Sequence, residues 1–273
     1  MNVGRTERLA AALIARHDFA HAVRLLNEVG IIPMPLKGVL LQHIVYQDPS
    51  DRLLSDADLL VPPGRFEEAL AALRRAGHRI DPEGRAGVST KGPDAQLEVD
   101  VHRRPFSPGL YNLSGSDLFS GGSIDKKIFG AVVVLPDPAD LYAHLIGNFA
   151  KGRHGAEAKP QLRDFSVVAS RFNLAAQPIA RHLERHGLAR AARYALPHVH
   201  DAFSDAVLRA LRVDRIGHAS AAVARRITSQ VGSAGRLSLV APHLVNRSLA
   251  RGVLSVGAHV ALGLRARITS RLR

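Results

Sequence analysis

The sequence predicts an α+β fold, in which a mixed sheet flanked by helices is followed by a C-terminal helical domain. Two observations carry this prediction. Between residues 31 and 135, short apolar runs alternate with segments of helical periodicity. From Asp137 onward, the spacing of the apolar residues is helical. We therefore expect an α/β core with an N-terminal helix over 1–136, a helical domain over 137–230 and an Arg-rich tail over 231–273.

The core begins as helix, strand, glycine turn and helix. A helix is predicted over 5–28, because apolar residues recur at helical spacing, and Gly30 ends it. The apolar run 31–36 suits a short buried strand. Lys37-Gly38 then forms a turn that leads into a second helix.

Two further strands carry carboxylates. The run 53–61 is predicted as a strand that Pro62-Pro63 stop, and helix 65–77 follows it. Residues 96–103 alternate apolar and polar side chains, which predicts a strand with one buried face. The other predicted elements are a short strand at 78–80, a glycine-containing loop up to 95, a hairpin at 124–135 and helices at 138–152, 160–173, 177–188 and onward to about 230.

Composition excludes several classes of protein. Of the 273 residues, 46% are hydrophobic and 22% charged, which is typical of a globular protein rather than a disordered one. The absence of cysteine excludes disulfides, thiolate metal sites and a cysteine nucleophile. Charges interrupt the apolar residues near the N-terminus, and the apolar stretch 252–264 is too short to span a bilayer. We expect a cytoplasmic protein.

Positive charge is concentrated at the C-terminus. The formal net charge is +13, and after Asp214 the chain has ten arginines and no acidic residue. Three interpretations stay open: an exposed face of helices, an amphipathic helix over 251–273 that lies on an anionic membrane, and nucleic-acid binding. Aromatic residues that could stack on bases are not interleaved with these arginines.

Asp56 and Asp58 lie within the leucine-rich stretch RLLSDADLLV, residues 52–61. On a strand they would project from one face with Cα atoms roughly 6.6 Å apart. Carboxylates about 5 Å apart repel by about 3 kcal/mol at an effective dielectric of about 20. A divalent cation would turn this repulsion into attraction, and Asp100 is the candidate for a third carboxylate. The alternative is that these acids lie on solvent-exposed strand faces, although the leucines favour burial of the first pair.

Lys37-Gly38 also has two interpretations. It could be only a turn with a glycine. Alternatively, backbone N–H groups at the start of the following helix could hold phosphates, with Lys37 as a point charge. The sequence has no Walker-type loop, no dinucleotide fingerprint and no Gly-x-Ser-x-Gly elbow.

The order of these motifs resembles the nucleotidyltransferase superfamily, which has a polymerase-β-like fold, and in particular its bacterial branch of largely uncharacterised nucleotidyltransferases. In that branch a strand ends in Leu-Lys-Gly, an Arg-x-x-Ser-Asp-x-Asp strand follows, and a later strand carries Asp-hydrophobic-His. The superfamily's usual phosphate turn is Gly-Gly or Gly-Ser, and both this chain and the branch have Lys-Gly there. The resemblance covers roughly residues 5–215. The motifs read Leu36-Lys37-Gly38, Arg52 through Val61, and Val99-Asp100-Val101-His102.

The resemblance implies a nucleotidyltransferase that moves an NMP from an NTP to an acceptor hydroxyl or phosphate and releases pyrophosphate. Asp56 and Asp58 would bind Mg²⁺, or Mn²⁺ in its place. Asp100 would be the third catalytic and metal-binding carboxylate. Two metal ions would then assist the transfer.

The resemblance also implies which residues bind the nucleotide. Lys37 and Gly38 would hold the triphosphate of an NTP, for which ATP is the expected choice. Arg52, Ser55 and His102 match the motif and would support nucleotide binding. The acceptor stays open among small molecules, peptides and proteins. The alternative is a catalytically silent relative that binds nucleic acid or an anionic membrane through the Arg-rich tail.

Overall fold

The structure is a computed structural model that describes residues 3–81, 87–155, 157–231 and 244–245. The chain divides into two compact units. The first unit comprises the described residues within Met1–Ser107, Leu113–Tyr142 and Ser170–Phe172, and the second comprises the others. The helices in the described ranges are α1 (Val3–Glu28), α2 (Lys37–Ile44), α3 (Phe66–Arg75), α4 (Gly115–Gly121), α5 (Pro138–Lys151), α6 (Lys159–Arg171), α7 (Ala176–Arg185), α8 (Ala189–Ala195), α9 (Ala202–Ala210) and α10 (Arg215–Val231).

The first unit is built on a mixed sheet. Its strands are β1 (Met34–Leu36), β2 (Asp56–Leu60), β3 (Arg79–Ile80), β4 (Gly87–Lys91) and β5 (Glu98–His102). Their order is β1-β2-β5-β4-β3. The central pair, β2 and β5, is parallel, and every other neighbouring pair is antiparallel. Two more strands, β6 (Ser123–Asp125) and β7 (Val133–Leu135), form a separate antiparallel pair.

Alternation along β2 and β5 separates an apolar face of the sheet from a polar one. Ala57 and Leu59 on β2, with Val99 and Val101 on β5, are at most 2% exposed. They belong to one hydrophobic cluster with residues of α1 and α3, such as Phe19. Because side chains alternate along a strand, the carboxylates between these residues project to the opposite face.

The second unit has its own core of aromatic residues. The rings of Phe149 and Phe165 meet edge to face, with centroids 5.6 Å apart. Tyr194 on α8 is fully buried, and its hydroxyl donates to the carbonyl oxygen of His154 at 2.6 Å. The Tyr194 hydroxyl also lies 3.0 Å from Thr228 Oγ1 on α10, so it links α8 to α10.

The predicted fold class is confirmed, and the long helices and the β6–β7 pair lie where the sequence predicts them. Other predictions were wrong. Strand β4 lies where a loop was expected; the prediction failed because this segment has few apolar residues. Helix α4 was not predicted. Residues 53–55 are outside β2, and α2 already begins at Lys37 rather than after a turn.

The predicted domain boundaries near 136 and 230 stay predictions. Of the Arg-rich tail, only residues 231 and 244–245 are described, so its predicted roles lie outside the described residues. Across the described ranges, no helix is both long enough and apolar enough to cross a membrane.

Helix α2 contains a histidine that folding keeps neutral. The His43 ring packs edge to face on Phe129, with centroids 4.2 Å apart. Burial, and then the charge of Arg16, lower the pKa of His43 from 6.5 to about 4. His43 Nε2 is buried and has no hydrogen-bond partner among the described residues.

We expect His43 to make stability depend on pH. Between pH 6.5 and about 4 the unfolded chain binds a proton at His43 that the folded chain excludes. The free energy of unfolding should therefore fall as the pH drops through this window. Urea denaturation between pH 7 and 4 should show a weaker pH dependence for His43→Gln than for the wild type. Replacing the exposed His218 by Gln is the control, and an unchanged slope for His43→Gln would contradict the prediction.

Candidate active site

The sheet register brings carboxylates together on the polar face of β2 and β5. Asp58 is in register with Asp100 on the parallel strand β5, and Asp56 is in register with Glu98. On the other side of β2, Asp58 is opposite Leu36, the last residue of β1. Because residues in register project to the same face, Asp58 and Asp100 are lateral neighbours.

Asp58 is the buried centre of this face. Asp58 is only 3% exposed. One oxygen, Oδ1, receives two partners: the Lys37 ammonium donates to it, and His102 Nε2 lies 2.7 Å away at hydrogen-bonding distance. Lys37 and Asp58 thus form an ion pair. The Lys37 side chain is 21% exposed.

The two partners keep Asp58 ionised. Burial by itself raises the pKa of Asp58, because an apolar surrounding disfavours the charged form. The hydrogen bond from His102 and the charge of Lys37 outweigh burial, so the pKa of Asp58 lies below its usual range. A buried carboxylate with a fixed negative charge is suited to binding a cation.

The position of Lys37 follows from the end of β1. Leu36 is opposite Asp58, so the next residue in the chain emerges beside that carboxylate. Lys37 has a φ of +52° and so adopts the left-handed region. For a residue other than glycine this conformation costs of the order of 1–3 kcal/mol. The ion pair with Asp58 contributes to holding it there.

Gly38 allows the start of α2 to approach the segment before β2. A Cβ at Gly38 would lie 2.7 Å from Leu54 Cδ2 and 3.6 Å from the guanidinium carbon of Arg52. Arg52 itself donates from Nη1 to the carbonyl oxygen of Leu53 at 2.9 Å. A guanidinium group and the first N–H groups of a helix therefore lie side by side, a combination suited to phosphate.

Asp100 and Asp56 have different surroundings. Asp100 is half-buried, and burial together with the charge of Asp58 raises its pKa. The charge of Asp56 acts in the same direction with a smaller effect. Asp56 is exposed, and its Oδ1 accepts a hydrogen bond of 3.1 Å from the Ser55 hydroxyl. The negative charges of this face thus repel one another, and the repulsion is only partly compensated.

The position of His102 is fixed by Gly87 on the neighbouring strand β4. Its side chain is 11% exposed. Gly87 is in register with His102, and a Cβ at Gly87 would lie 2.3 Å from the carbonyl oxygen of Val101 and 3.0 Å from His102 Nδ1. Only glycine allows this approach. The role of Gly87 was not predicted from the sequence, because β4 has no recognisable strand pattern.

Three side chains of this face form a donor set that could hold a divalent metal ion. Asp58, Asp100 and His102 each offer one ligand atom, and these atoms all lie within 4.8 Å of one another. Carboxylate oxygens are the preferred ligands of Mg²⁺ and Mn²⁺, whereas imidazole favours later transition metals. The residues therefore fit a divalent cation. Asp56 is not in this group of three, although the sequence resemblance implies it as a ligand.

The same residues match a protein family. A family described as "Uncharacterised nucleotidyltransferase" matches residues 6–204, which is most of the chain. The chain belongs to this nucleotidyltransferase family. The match includes the Lys37-Gly38 start of α2, the Asp56 strand and the Asp100 strand. No curated protein matches the chain.

Solved structures similar to this nucleotidyltransferase are distant from it. A crystal structure of ANT(2'')-Ia in complex with adenylyl-2''-tobramycin is 14% identical, with a TM-score of 0.44, over 59% of this chain and 90% of the other. An antigenic nucleotidyltransferase-like protein from Paracoccidioides brasiliensis is also 14% identical, with a TM-score of 0.41, over 76% and 94% of the two chains. At these values the likeness carries no argument about substrates.

We expect a methyl group at position 87 to disturb the site without removing any side chain from it. In Gly87→Ala the new Cβ meets backbone atoms of β5, which cannot move aside as a flexible side chain could. Overpacking of this kind typically lowers the free energy of unfolding by roughly 1–3 kcal/mol. Chemical denaturation measures this change.

Gly115→Ala is the matched control for Gly87→Ala. A Cβ at Gly115 meets its nearest atoms, in Pro63 and Leu60, at 3.9 and 4.0 Å, which is ordinary contact. Its stability should stay close to that of the wild type. Equal stabilities for the two variants would contradict the role given to Gly87.

Proposed function

We propose that the chain is a metal-dependent enzyme that transfers a nucleotidyl group from an NTP, with ATP as the expected nucleotide, to an acceptor hydroxyl or phosphate. The observation that carries the proposal is the lateral pair of Asp58 and Asp100 beside the start of α2, in a member of a nucleotidyltransferase family. The pair would bind Mg²⁺ or Mn²⁺. When bound, the metal neutralises charge on the phosphates and polarises the phosphoryl group.

Each carboxylate has a distinct role in this proposal. Asp58 is ionised and fixed by its buried position, so it anchors the metal. Asp100 is half-buried, and its raised pKa makes it the better proton acceptor for an attacking hydroxyl. Asp56 is exposed at the start of β2, where it can complete the metal site from the solvent side.

The basic groups would bind the triphosphate. Gly38 and Arg52 lie side by side at the N-terminus of α2, where backbone N–H groups and the helix dipole favour an anion. Lys37 adds a point charge. Ser55 holds Asp56, and His102 orients Asp58 through its hydrogen bond. His102 thus supports nucleotide binding indirectly, by positioning a carboxylate.

The proposal predicts that each carboxylate of the pair is needed for transfer. Purified protein would be incubated with Mg²⁺, ATP labelled at the α-phosphate and a panel of hydroxyl-bearing acceptors or a cell extract. Release of pyrophosphate and labelling of an acceptor are expected. Asp58→Asn and Asp100→Asn should each lower the rate by at least about 100-fold, as loss of one preorganised charged group in an active site commonly does.

Asp94→Asn is the matched control for these variants. Asp94 is an exposed carboxylate in the turn between β4 and β5, outside the group that could hold a metal. Its rate should equal that of the wild type. The proposal is wrong if no NTP is bound or turned over in the presence of Mg²⁺ or Mn²⁺, or if Asp58→Asn transfers the label as fast as the wild type.

A further inference from the structure

The Asp58 carboxylate, which could bind a metal ion, already carries a cationic partner, the Lys37 ammonium. Both of its described partners, the Lys37 ammonium and His102 Nε2, contact the same oxygen, Oδ1. The residue is 3% exposed, so no wide solvent-facing surface is left for further groups. A divalent cation bound through this oxygen at about 2.1 Å would lie within a few ångströms of the ammonium, and the two positive charges would repel strongly.

Lys37 is the partner that can move. His102 is fixed by the strand pairing with Gly87 and is only 11% exposed, whereas the Lys37 side chain is 21% exposed and has four flexible methylene groups. Lys37 is also the first residue of α2. An anion bound at the start of α2, beside Gly38 and Arg52, would therefore be within reach of the displaced ammonium.

We propose that Lys37 is a tethered counter-ion that pairs with the Asp58 carboxylate in the free protein and exchanges it for the triphosphate when the metal–nucleotide complex binds. This inference rests on the proposed function. It gives a role to a lysine that is held in the left-handed region at the start of α2: the position serves two anions in turn, a carboxylate and a phosphate. The exchange moves the lysine side chain between two anions, and no covalent bond is formed or broken.

The exchange makes metal binding and nucleotide binding cooperative. A metal ion alone has to displace Lys37 from Asp58, and the released ammonium then loses its ion pair with this buried carboxylate. With a triphosphate present, the displaced Lys37 pairs with a phosphate, so the metal binds more tightly. Because coupling between two ligands is reciprocal, the metal must strengthen nucleotide binding by the same factor.

The test compares Mn²⁺ binding to the full chain with and without ATP, by Mn²⁺ electron paramagnetic resonance or calorimetry. Without nucleotide, Lys37→Met should bind Mn²⁺ on the order of tenfold more tightly than the wild type, which is within the usual range of couplings between sites. With Mn²⁺ present, the same variant should bind ATP more weakly. The enhancement of Mn²⁺ affinity by ATP should therefore be smaller in Lys37→Met than in the wild type.

A second variant keeps the test valid if Lys37→Met folds poorly. Lys37→Gly also removes the ammonium, and glycine accepts a φ of +52° without strain. In metal-free buffer, Lys37→Gly should melt at a lower temperature than the wild type, because Asp58 loses a counter-charge. Mn²⁺ alone should raise its melting temperature more than it raises that of the wild type. Lys126→Met, which removes an exposed lysine, is the control and should behave as wild type in each measurement.

Two results would overturn the proposal, and they are distinguishable. If the wild type and both Lys37 variants bind Mn²⁺ equally without nucleotide and respond equally to ATP, Lys37 does not compete with the metal, and the proposed transfer activity still stands. If none of the three proteins binds Mn²⁺ even with ATP present, both the exchange and the metal-dependent function are wrong.

Discussion

Asp58 carries a negative charge on a strand that is almost closed to solvent, and the structure around it is organised to compensate that charge. His102 supplies a hydrogen bond and Lys37 supplies a positive charge. Removing one partner from a buried ion pair commonly destabilises a protein by about 3–5 kcal/mol. Burying this carboxylate therefore makes the stability of the fold depend on both partners. Such a dependence is understandable if the carboxylate binds a cation during function.

Several features of the chain follow from this one group. His102 reaches Asp58 because β2 and β5 are parallel, and the close approach of β4 to His102 requires Gly87. Lys37 reaches it from the end of β1 with a left-handed backbone. The pairing of β2 with β1 on one side and β5 on the other thus brings Lys37 and His102 to a single oxygen atom of Asp58. In this arrangement the sheet is the rigid support, and the lysine side chain is the part that can exchange partners.

Part of this site could be predicted from the sequence because strands have a period of two residues. Alternation alone places Asp58 on the polar face of its strand and Asp100 on that of another strand. The contact of His102 with Asp58 could not be predicted, because it joins residues 44 positions apart and depends on which strands are neighbours. The role of Gly87 could not be predicted either, since β4 has few apolar residues and no strand pattern.

The elements proposed to bind the nucleotide show the same limit. The Lys37-Gly38 pair was recognisable from its position after a strand, although it forms the first turn of α2 and not a turn before the helix. The ion pair of Lys37 with Asp58 was not recognisable, because the start of α2 and a distant strand meet only in the folded protein.

The most direct measurement is a crystal structure with Mn²⁺ and a non-hydrolysable ATP analogue, in which anomalous scattering locates the metal. A manganese ion bound by Asp58 and Asp100, with the triphosphate beside Lys37, is the predicted result. A bound nucleotide with no metal at these carboxylates would contradict it.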